Sequence, residues 1–299
     1  MLSSNPIVNF YLQIVTLRGT ITWDVVWQNL FSTFVLQGVI LTITLAVLAQ
    51  LIGVLIGLLL YFMRRARLGI IRGLAEAYVW FFRGTPLLVQ VLFASTFFAV
   101  VGLSRQLKAA DIFTPLGFRD VFLDAFIAAL IALALNEGAY MAEIIRAGID
   151  SIDVGQMEAA KSLGMTYWLG MRRIVLPQAM RVILPPLGNE FNSMLKNTAA
   201  ASLAGLYELF GTAEHEGART FNVLEYLIIA SIWFLTLTTI WGFVQSAIER
   251  RFSASTREPT RDSTNWWGRT FGWSRQKVPA GAPSEVPGEV APSFQGERR

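Results

Sequence analysis

The stretch EAAKSLGMTYWLGMRRIVLP, residues 158–177, is polar and ends on a proline, although the chain around it is strongly apolar. Of the 299 residues, 54% are hydrophobic and 15% are charged, whereas soluble domains carry about a quarter charged residues. This composition predicts an all-α integral membrane protein with several spans. The quoted stretch is then a polar connection between membrane segments.

Five segments are predicted to cross the membrane, so that residues 31–250 form one bundle. Their approximate bounds are 34–60, 86–103, 121–145, 178–196 and 223–247. The first carries no charge and exceeds the ~20 residues that a spanning helix needs. The fourth contains Arg181 and Glu190 and has low hydropathy, so its assignment depends on the distribution of positive charge.

Positive charge indicates the orientation. With five crossings, most of the 25 Lys and Arg residues fall on one side, within 64–83, within 146–181 and from Arg250 onward. Because cytoplasmic segments carry an excess of Lys and Arg, that side is predicted to be cytoplasmic. The N-terminus is then outside and the C-terminus inside.

The two ends of the chain differ from the bundle. Residues 1–30 are predicted to form an interfacial arm, because Trp23 and Trp27 share one helical face and tryptophan suits the headgroup region. Residues 251–299 are rich in Pro, Gly, Ser and Arg, which predicts a cytoplasmic and largely disordered tail.

Composition also limits the chemistry. The chain has no Cys, which excludes disulfides, thiolate nucleophiles and Cys-ligated metals. The single His, His215, lies in a polar run without the other members of a metal or catalytic site. No GxxxxGK[ST] phosphate loop occurs, so the chain does not hydrolyse ATP. An integral-membrane enzyme is therefore disfavoured.

Within the polar connection we predict a short helix ending near Leu163, a turn at Gly164 and a second helix from Thr166. Glycine tolerates the left-handed conformation of such a turn, and Thr166 is a suitable cap. Pro177 suits the start of the next segment. Such a shape at the membrane face suits docking to a partner, although a structured loop without a partner has the same pattern.

The spacing of this connection resembles the EAA loop of permease subunits of bacterial ABC importers. The matching positions are Glu158, Ala159, Ala160, Gly164, Ile174, Leu176 and Pro177. Residues 81–90, 139–164 and 176–198 resemble the polar amino-acid branch, and the resemblance covers about 31–250. It implies a type I importer bundle in which the loop, 153–177, is a coupling helix that inserts into a cytoplasmic ATPase.

The resemblance also implies the partners and the location. They are two copies of an ATP-binding subunit, a second permease that is the same or related, an external solute-binding protein, a polar amino acid and membrane lipid. ATP and Mg²⁺ belong to the ATPase, no cofactor is expected in this chain, and no nucleic acid is expected as a partner. The location is the bacterial inner membrane.

Polar side chains inside the spans are the candidate substrate pathway, because such groups usually face a bundle interior or a wet cavity. The third span offers Asn136, Glu137 and Tyr140; the fourth offers Asn189, Glu190, Asn192, Ser193 and Asn197. A carboxylate would accept the ammonium of an amino acid, and Asn or Tyr would donate to its carboxylate. Alternatively, these groups bond to one another or to a partner. Pro185 and Pro186 are expected to break the fourth helix.

Two charged features near the cytoplasmic side remain. Arg83, before Pro86, either snorkels to the interface or gates the pathway. Glu143 and Arg146 are expected to form a local i, i+3 ion pair.

The main alternative function is an ion-coupled secondary transporter, with Glu137 or Glu190 binding the ion. Such carriers usually contain an internal repeat, and none is evident. The identity of the amino acid, the direction of transport and the choice of second permease stay open.

Overall fold

A computed structural model describes residues 21–101 and 123–253, and these residues form helices joined by short connections, without strands. The helices are α1 (Trp23–Asn29), α2 (Thr33–Arg64), α3 (Gly69–Gly84), α4 (Leu87–Val101), α5 (Leu123–Asp150), α6 (Val154–Ser162), α7 (Tyr167–Gly170), a π-helical turn (Met171–Val175), α8 (Leu176–Asn197), a 3₁₀ segment (Thr198–Ala204), α9 (Leu209–Thr220) and α10 (Val223–Ser253). The predicted all-α membrane fold is confirmed.

Three helices, α2, α5 and α10, are long and apolar enough to cross a membrane. A fourth crossing is available if α3 and α4, which meet at 105°, act as one broken span. Residues 86–103 thus differ from the separate span expected, because the helix described there, α4, has 15 residues and follows α3 after a sharp bend. The 22 residues of α8 reach about 33 Å, but they include Arg181, Glu190 and Lys196 and are less apolar than these helices. Five crossings therefore stay a prediction.

Glycines bring α2 and α5 together. A Cβ added at Gly53 would lie 2.5 Å from Cγ of Glu137, and one at Gly57 would lie 2.5 Å from Cβ of Met141. Gly138 of α5 faces Ile56 of α2 in the same way. Small residues of this kind allow close packing of membrane helices, where van der Waals contact rather than hydrophobic burial drives association.

The bend between α3 and α4 is held by two amides. Nε2 of Gln90 donates to the Phe82 carbonyl at 2.9 Å and to Oγ1 of Thr85 at 2.7 Å. Nδ2 of Asn136 on α5 donates to the same carbonyl at 3.0 Å and to Oε1 of Gln90 at 3.1 Å. These bonds satisfy the end of α3, whose last carbonyls have no partner within their own helix.

The expected break in α8 is wrong, because α8 continues through Pro185 and Pro186. Two side chains of α10 brace this stretch. Nε2 of Gln245 donates to the Pro185 carbonyl at 3.3 Å, and Nε1 of Trp241 donates to the Gly188 carbonyl at 2.8 Å. Packing against α10 thus keeps the helix continuous where proline alone would weaken it.

The ends of the chain are described only in part. Residues 21–30 of the predicted arm include α1, on which Trp23 and Trp27 are exposed while Val26 packs on α10. The backbone N–H of Thr22 donates to Oε1 of Glu225 at 3.0 Å. Residues 1–20 and 254–299, and with them most of the arm and of the tail, lie outside the described residues.

Glu208 connects α9 to α2 and is fully buried. Its carboxylate accepts from the backbone N–H groups of Phe210 at 2.9 Å and Gly211 at 2.8 Å, and from Oγ1 of Thr42 at 3.1 Å. Burial raises the pKa of Glu208 to about 7, although these three donors lower it. The side chain is both the N-cap of α9 and its attachment to α2.

The glycine contacts predict opposite effects for two matched substitutions. Gly53→Ala should lower the melting temperature in detergent, because the new methyl group collides with Glu137, and such overpacking costs about 1–3 kcal/mol. Gly73→Ala on α3 is the control, since no atom lies within 4 Å of its added Cβ. It should leave the melting temperature equal or higher, because alanine favours a helix by about 0.5–1 kcal/mol. Equal shifts for both variants would contradict the packing described.

Glu208 predicts a pH dependence of stability. Between about pH 4.5, the ordinary value, and pH 7 the folded chain keeps a proton that the unfolded chain has lost. The free energy of unfolding should therefore fall as pH rises across this window, by up to about 3 kcal/mol. Melting curves of wild type and Glu208→Gln from pH 5 to 8 isolate this contribution. The variant should show a shallower decline, and identical slopes would argue against it.

Candidate functional site

A cavity of about 410 Å³ opens between the α3–α4 bend, α5 and α8. Its lining residues are Arg83, Gly84, Thr85, Pro86, Leu87, Asn136, Glu137, Tyr140, Glu190 and Asn197. Five of the eight predicted pathway residues and the predicted gating residue therefore meet in one place. We call this space the central cavity.

Helical spacing explains how these side chains converge. On α5, Asn136 and Tyr140 are one turn apart, and Glu137 lies beside them. On α8, Glu190 and Asn197 are seven residues apart and so share a face. The α3–α4 bend supplies the third wall, so the amides that fix this bend also fix the shape of the cavity.

Glu137 is the most enclosed charged group of the cavity. Its residue surface is 3% exposed, and its Oε1 is buried without a hydrogen-bond partner among the described residues. Gly53 of α2 packs against its side-chain carbons. A buried carboxylate with an open acceptor is suited to receive a cationic or N–H donor group from a ligand.

Arg83 contributes positive charge to the same cavity. Its guanidinium carbon lies 5.3 Å from the ring centroid of Tyr140, a cation–π contact worth about 0.5–1 kcal/mol at an exposed site. Arg83 itself is exposed. Its position against Tyr140 favours the gating interpretation, because a purely snorkelling side chain would leave the bundle interior.

Three predicted pathway residues do not line the cavity. Oδ1 of Asn189 accepts from Nε2 of Gln245 at 3.2 Å, so Asn189 faces α10. The Ser193 hydroxyl donates to the Asn189 carbonyl at 3.2 Å within α8. Asn192 has a buried Oδ1 without a hydrogen-bond partner in the described part of the chain, but it is absent from the cavity wall. For Asn189 and Ser193 the alternative of a packing role fits better.

Gln90, which orients Asn136 toward the bend, was not among the predicted site residues. The signal was present, since Gln90 is a polar residue inside the apolar run PLLVQVLF, and such residues are costly in a membrane. Because Asn136 donates to both Gln90 and the Phe82 carbonyl, its amide supports the cavity wall besides facing the cavity.

The predicted helix–turn–helix between α5 and α8 is confirmed. Asp153 caps α6, with Oδ1 accepting from the Gly155 N–H at 2.6 Å. Gly164 has φ +75°, the left-handed value that favours glycine. Oγ1 of Thr166 accepts from the Leu169 N–H at 3.4 Å at the start of α7.

The matched loop residues take different environments. Glu158, Ala159 and Gly164 are exposed, whereas Ala160 is buried. A Cβ on Gly170 would lie 3.3 Å from Cβ of Ala160. The small size of Ala160 therefore serves contact between α6 and α7 within the chain.

The end of the matched loop is continuous helix. From Tyr167 the chain runs through the π-helical turn, which contains the half-buried Ile174, into α8 with the exposed Leu176 and Pro177 in its first turn. Pro177 thus lies at the start of α8, as predicted, and α8 follows the π-helical turn without a break. A π-helical turn just before a proline is one way for a helix to accommodate the missing N–H group.

Large apolar side chains on this loop were not anticipated. Val154 is 72% exposed, Leu163 81% and Trp168 69%. Together with Glu158 and Ala159 they form a surface that we call the loop face. Exposed apolar groups rimmed by polar ones commonly mark a protein interface.

The predicted Glu143–Arg146 pair is confirmed and belongs to a larger network. Arg146 lies 2.8 Å from Glu143, Arg64 lies 2.6 Å from Glu143 and Arg65 lies 2.7 Å from Asp150. These five residues, which we call the α2–α5 ion network, join the end of α2 to the end of α5. Three residues separate the end of α5 from the start of α6.

Within residues 21–101 and 123–253, no group of three or more His, Asp or Glu side chains is placed to hold a metal ion. The features that remain are the central cavity, the loop face and the α2–α5 ion network.

Residues 51–254 match the family described as binding-protein-dependent transport system inner membrane component. The chain belongs to this family. It is therefore a membrane-spanning permease subunit of an ABC importer, and hydrolysis of ATP belongs to a separate ATP-binding subunit.

Curated relatives cover most of the chain. The arginine transport system permease protein ArgU of Corynebacterium glutamicum is 37% identical over 240 residues, which are 80% of this chain and 74% of the relative. The glutamine transport system permease protein GlnP of Escherichia coli K12 is 32% identical over 77% of this chain and 96% of its own length.

Solved structures agree in fold. An amino acid ABC transporter crystallised with histidines has a chain that is 38% identical, with a TM-score of 0.60 over 73% of this chain and 94% of its own. The MetNI methionine ABC transporter, at 18% identity and a TM-score of 0.54 over 75% of this chain and 94% of its own, shares the fold.

Proposed function

We propose that this permease subunit passes a polar amino acid through the central cavity. We also propose that the ATPase docks on the loop face and transmits its conformational change there. Relatives named for arginine and glutamine transport support an amino acid as the cargo. The observation that carries the proposal is the presence of Glu137, Glu190 and Arg83 in one cavity of about 410 Å³.

The charges of the central cavity complement an amino acid. A zwitterion needs a carboxylate for its ammonium and a cation for its carboxylate, and Glu137 and Arg83 offer these groups. Asn197 and Tyr140 add neutral hydrogen-bonding groups. The volume lies within the roughly 300–1,000 Å³ of small-molecule sites.

The central cavity contains two acidic residues and one arginine. This balance favours an amino acid with a positively charged side chain and disfavours one with an acidic side chain. The side-chain ammonium or guanidinium of such a cargo would pair with Glu190, while its α-ammonium pairs with Glu137. The external binding protein selects the cargo first, and the cavity then disfavours an additional carboxylate through like-charge repulsion.

The loop face is the proposed contact with the ATPase. Glu158 offers a charge, while Leu163 and Trp168 offer the apolar area that an interface core needs. The rigid route from this face to the cavity is α7, the π-helical turn and α8, which carries Glu190. Docking would thus move one cavity wall relative to the others.

The proposed assembly places the Arg-rich ends of α2 and α5 in the cytoplasm, with the N-terminus outside and the tail inside. Two ATP-binding subunits and a second permease, the same or related, complete it. A solute-binding protein docks on the outer side. Membership of an ABC importer family argues against the alternative, an ion-coupled carrier that works alone.

Substitution at the central cavity tests the cargo site. In vesicles containing the assembled transporter, Glu137→Gln should weaken uptake of arginine about ten- to hundredfold at limiting concentration, because a charge-assisted hydrogen bond is worth about 1.5–3 kcal/mol. Ser193→Ala, on α8 but outside the cavity, is the control and should retain normal uptake. Normal uptake by Glu137→Gln, with unchanged apparent affinity, would refute the assignment.

Substitution at the loop face tests coupling. Leu163→Asp and Glu158→Lys should reduce co-purification of the ATP-binding subunit and transport-linked ATP hydrolysis by about tenfold, since each places an unfavourable charge in the proposed interface. Glu216→Lys, on α9 at the opposite end of the bundle, is the matched control. If the ATPase stays bound and active with Leu163→Asp and Glu158→Lys, the loop face is not the interface.

A further inference from the structure

A second cavity, of about 430 Å³, lies where α2 and α5 end and α3 passes them. It is lined by Tyr61, by Glu76 and by the α2–α5 ion network. It shares no lining residue with the central cavity, so the proposed transport path does not account for it.

Two hydrogen-bonding groups in this cavity have no partner among the described residues. Tyr61 is 5% exposed, and its buried hydroxyl has no hydrogen-bond partner there. The Nε of Arg64 is also buried and also lacks a hydrogen-bond partner there. Leaving such a group unpaired costs about 1–3 kcal/mol, and more when it is charged. A ligand that accepts from both would remove this cost.

The ligand should be an anion. Of the three carboxylates that line the cavity, Glu143 accepts from Arg64 and Arg146 and Asp150 accepts from Arg65, while Glu76 is exposed. The open groups are a guanidinium N–H, which only donates, and a phenol, which donates to an anion. A phosphate oxygen satisfies both requirements with strong, charge-assisted bonds.

The surroundings indicate where the phosphate comes from. Arg67 and Arg72 are exposed just beyond the end of α2, while Phe62, Ile70 and Leu74 are exposed apolar residues on the flanking helices. This combination of basic and apolar surface at the end of a membrane helix is typical of contact with a lipid. Basic pockets between membrane helices on the cytoplasmic side commonly bind phospholipid head groups.

We propose that this cavity binds the phosphodiester of an inner-leaflet phospholipid, with Tyr61 and Arg64 as its ligands. Arg65 covers the Tyr61 ring, its guanidinium carbon 5.1 Å from the centroid, and closes one side of the site. Both ligands lie on α2, and the cavity that they share with the end of α5 is next to α6, so the bound lipid occupies the base from which the loop face projects. The assignment to the inner leaflet rests on the proposed orientation and not on the cargo.

Two substitutions test the site in the full chain purified in detergent. Tyr61→Phe removes a hydroxyl that bonds to nothing in the described chain, so it should not impair folding. Arg64→Gln removes the guanidinium, and Arg219→Gln on the distant α9 is its matched control. Retention of phosphatidylglycerol, measured by native mass spectrometry, should be about tenfold weaker for Tyr61→Phe and weaker still for Arg64→Gln, since one hydrogen bond to a charged group is worth about 1.5–3 kcal/mol.

Adding three different ligands distinguishes a lipid phosphate from free phosphate. Phosphatidylglycerol should raise the melting temperature of wild type and of Arg219→Gln, whereas galactosyl diacylglycerol, which lacks phosphate, and inorganic phosphate should not. Equal retention of phosphatidylglycerol by Tyr61→Phe, Arg64→Gln and wild type would overturn the site. Equal stabilisation by inorganic phosphate would overturn the lipid assignment. Either result leaves the amino-acid proposal untouched, because the central cavity is measured separately by uptake.

Discussion

The contact between Asn136 and the bend of the broken α3–α4 pair is the constraint on which the central cavity depends. A helix that ends inside a membrane leaves carbonyls without water, and each one must find a donor within the protein. Asn136 and Gln90 supply these donors at the Phe82 carbonyl. Because the bend is satisfied from α5, the wall carrying Arg83 and the wall carrying Glu137 are fixed relative to each other.

Close packing of α2 on α5 complements this constraint. Gly53 allows the α2 backbone to cover the carbons of Glu137, which directs the carboxylate toward the cavity. A larger residue would force α2 outward and let lipid or water reach the acid. Thus Gly53 in α2 and Glu137 in α5 form one packing unit, although they lie far apart in the sequence.

The sequence predicted those features that depend only on residue type and on helical spacing. The cap at Thr166 and the turn at Gly164 follow from residue type, and the convergence of Asn136, Glu137 and Tyr140 follows from helical spacing. What could not be predicted depends on neighbours distant in sequence. Pro185 stays helical because α10 braces it, Ala160 is buried because Gly170 faces it, and Asn189 turns away because Gln245 bonds to it.

The π-helical turn at Met171–Val175 has a consequence for how such a permease can vary. A π turn holds one more residue than an α turn, and each residue of an α-helix rotates the chain by about 100°. The extra residue therefore absorbs an insertion between α7 and α8 without changing the direction in which Glu190 points. The connection from α7 to α8 can in this way change in length while the orientation of α8 and of Glu190 stays the same.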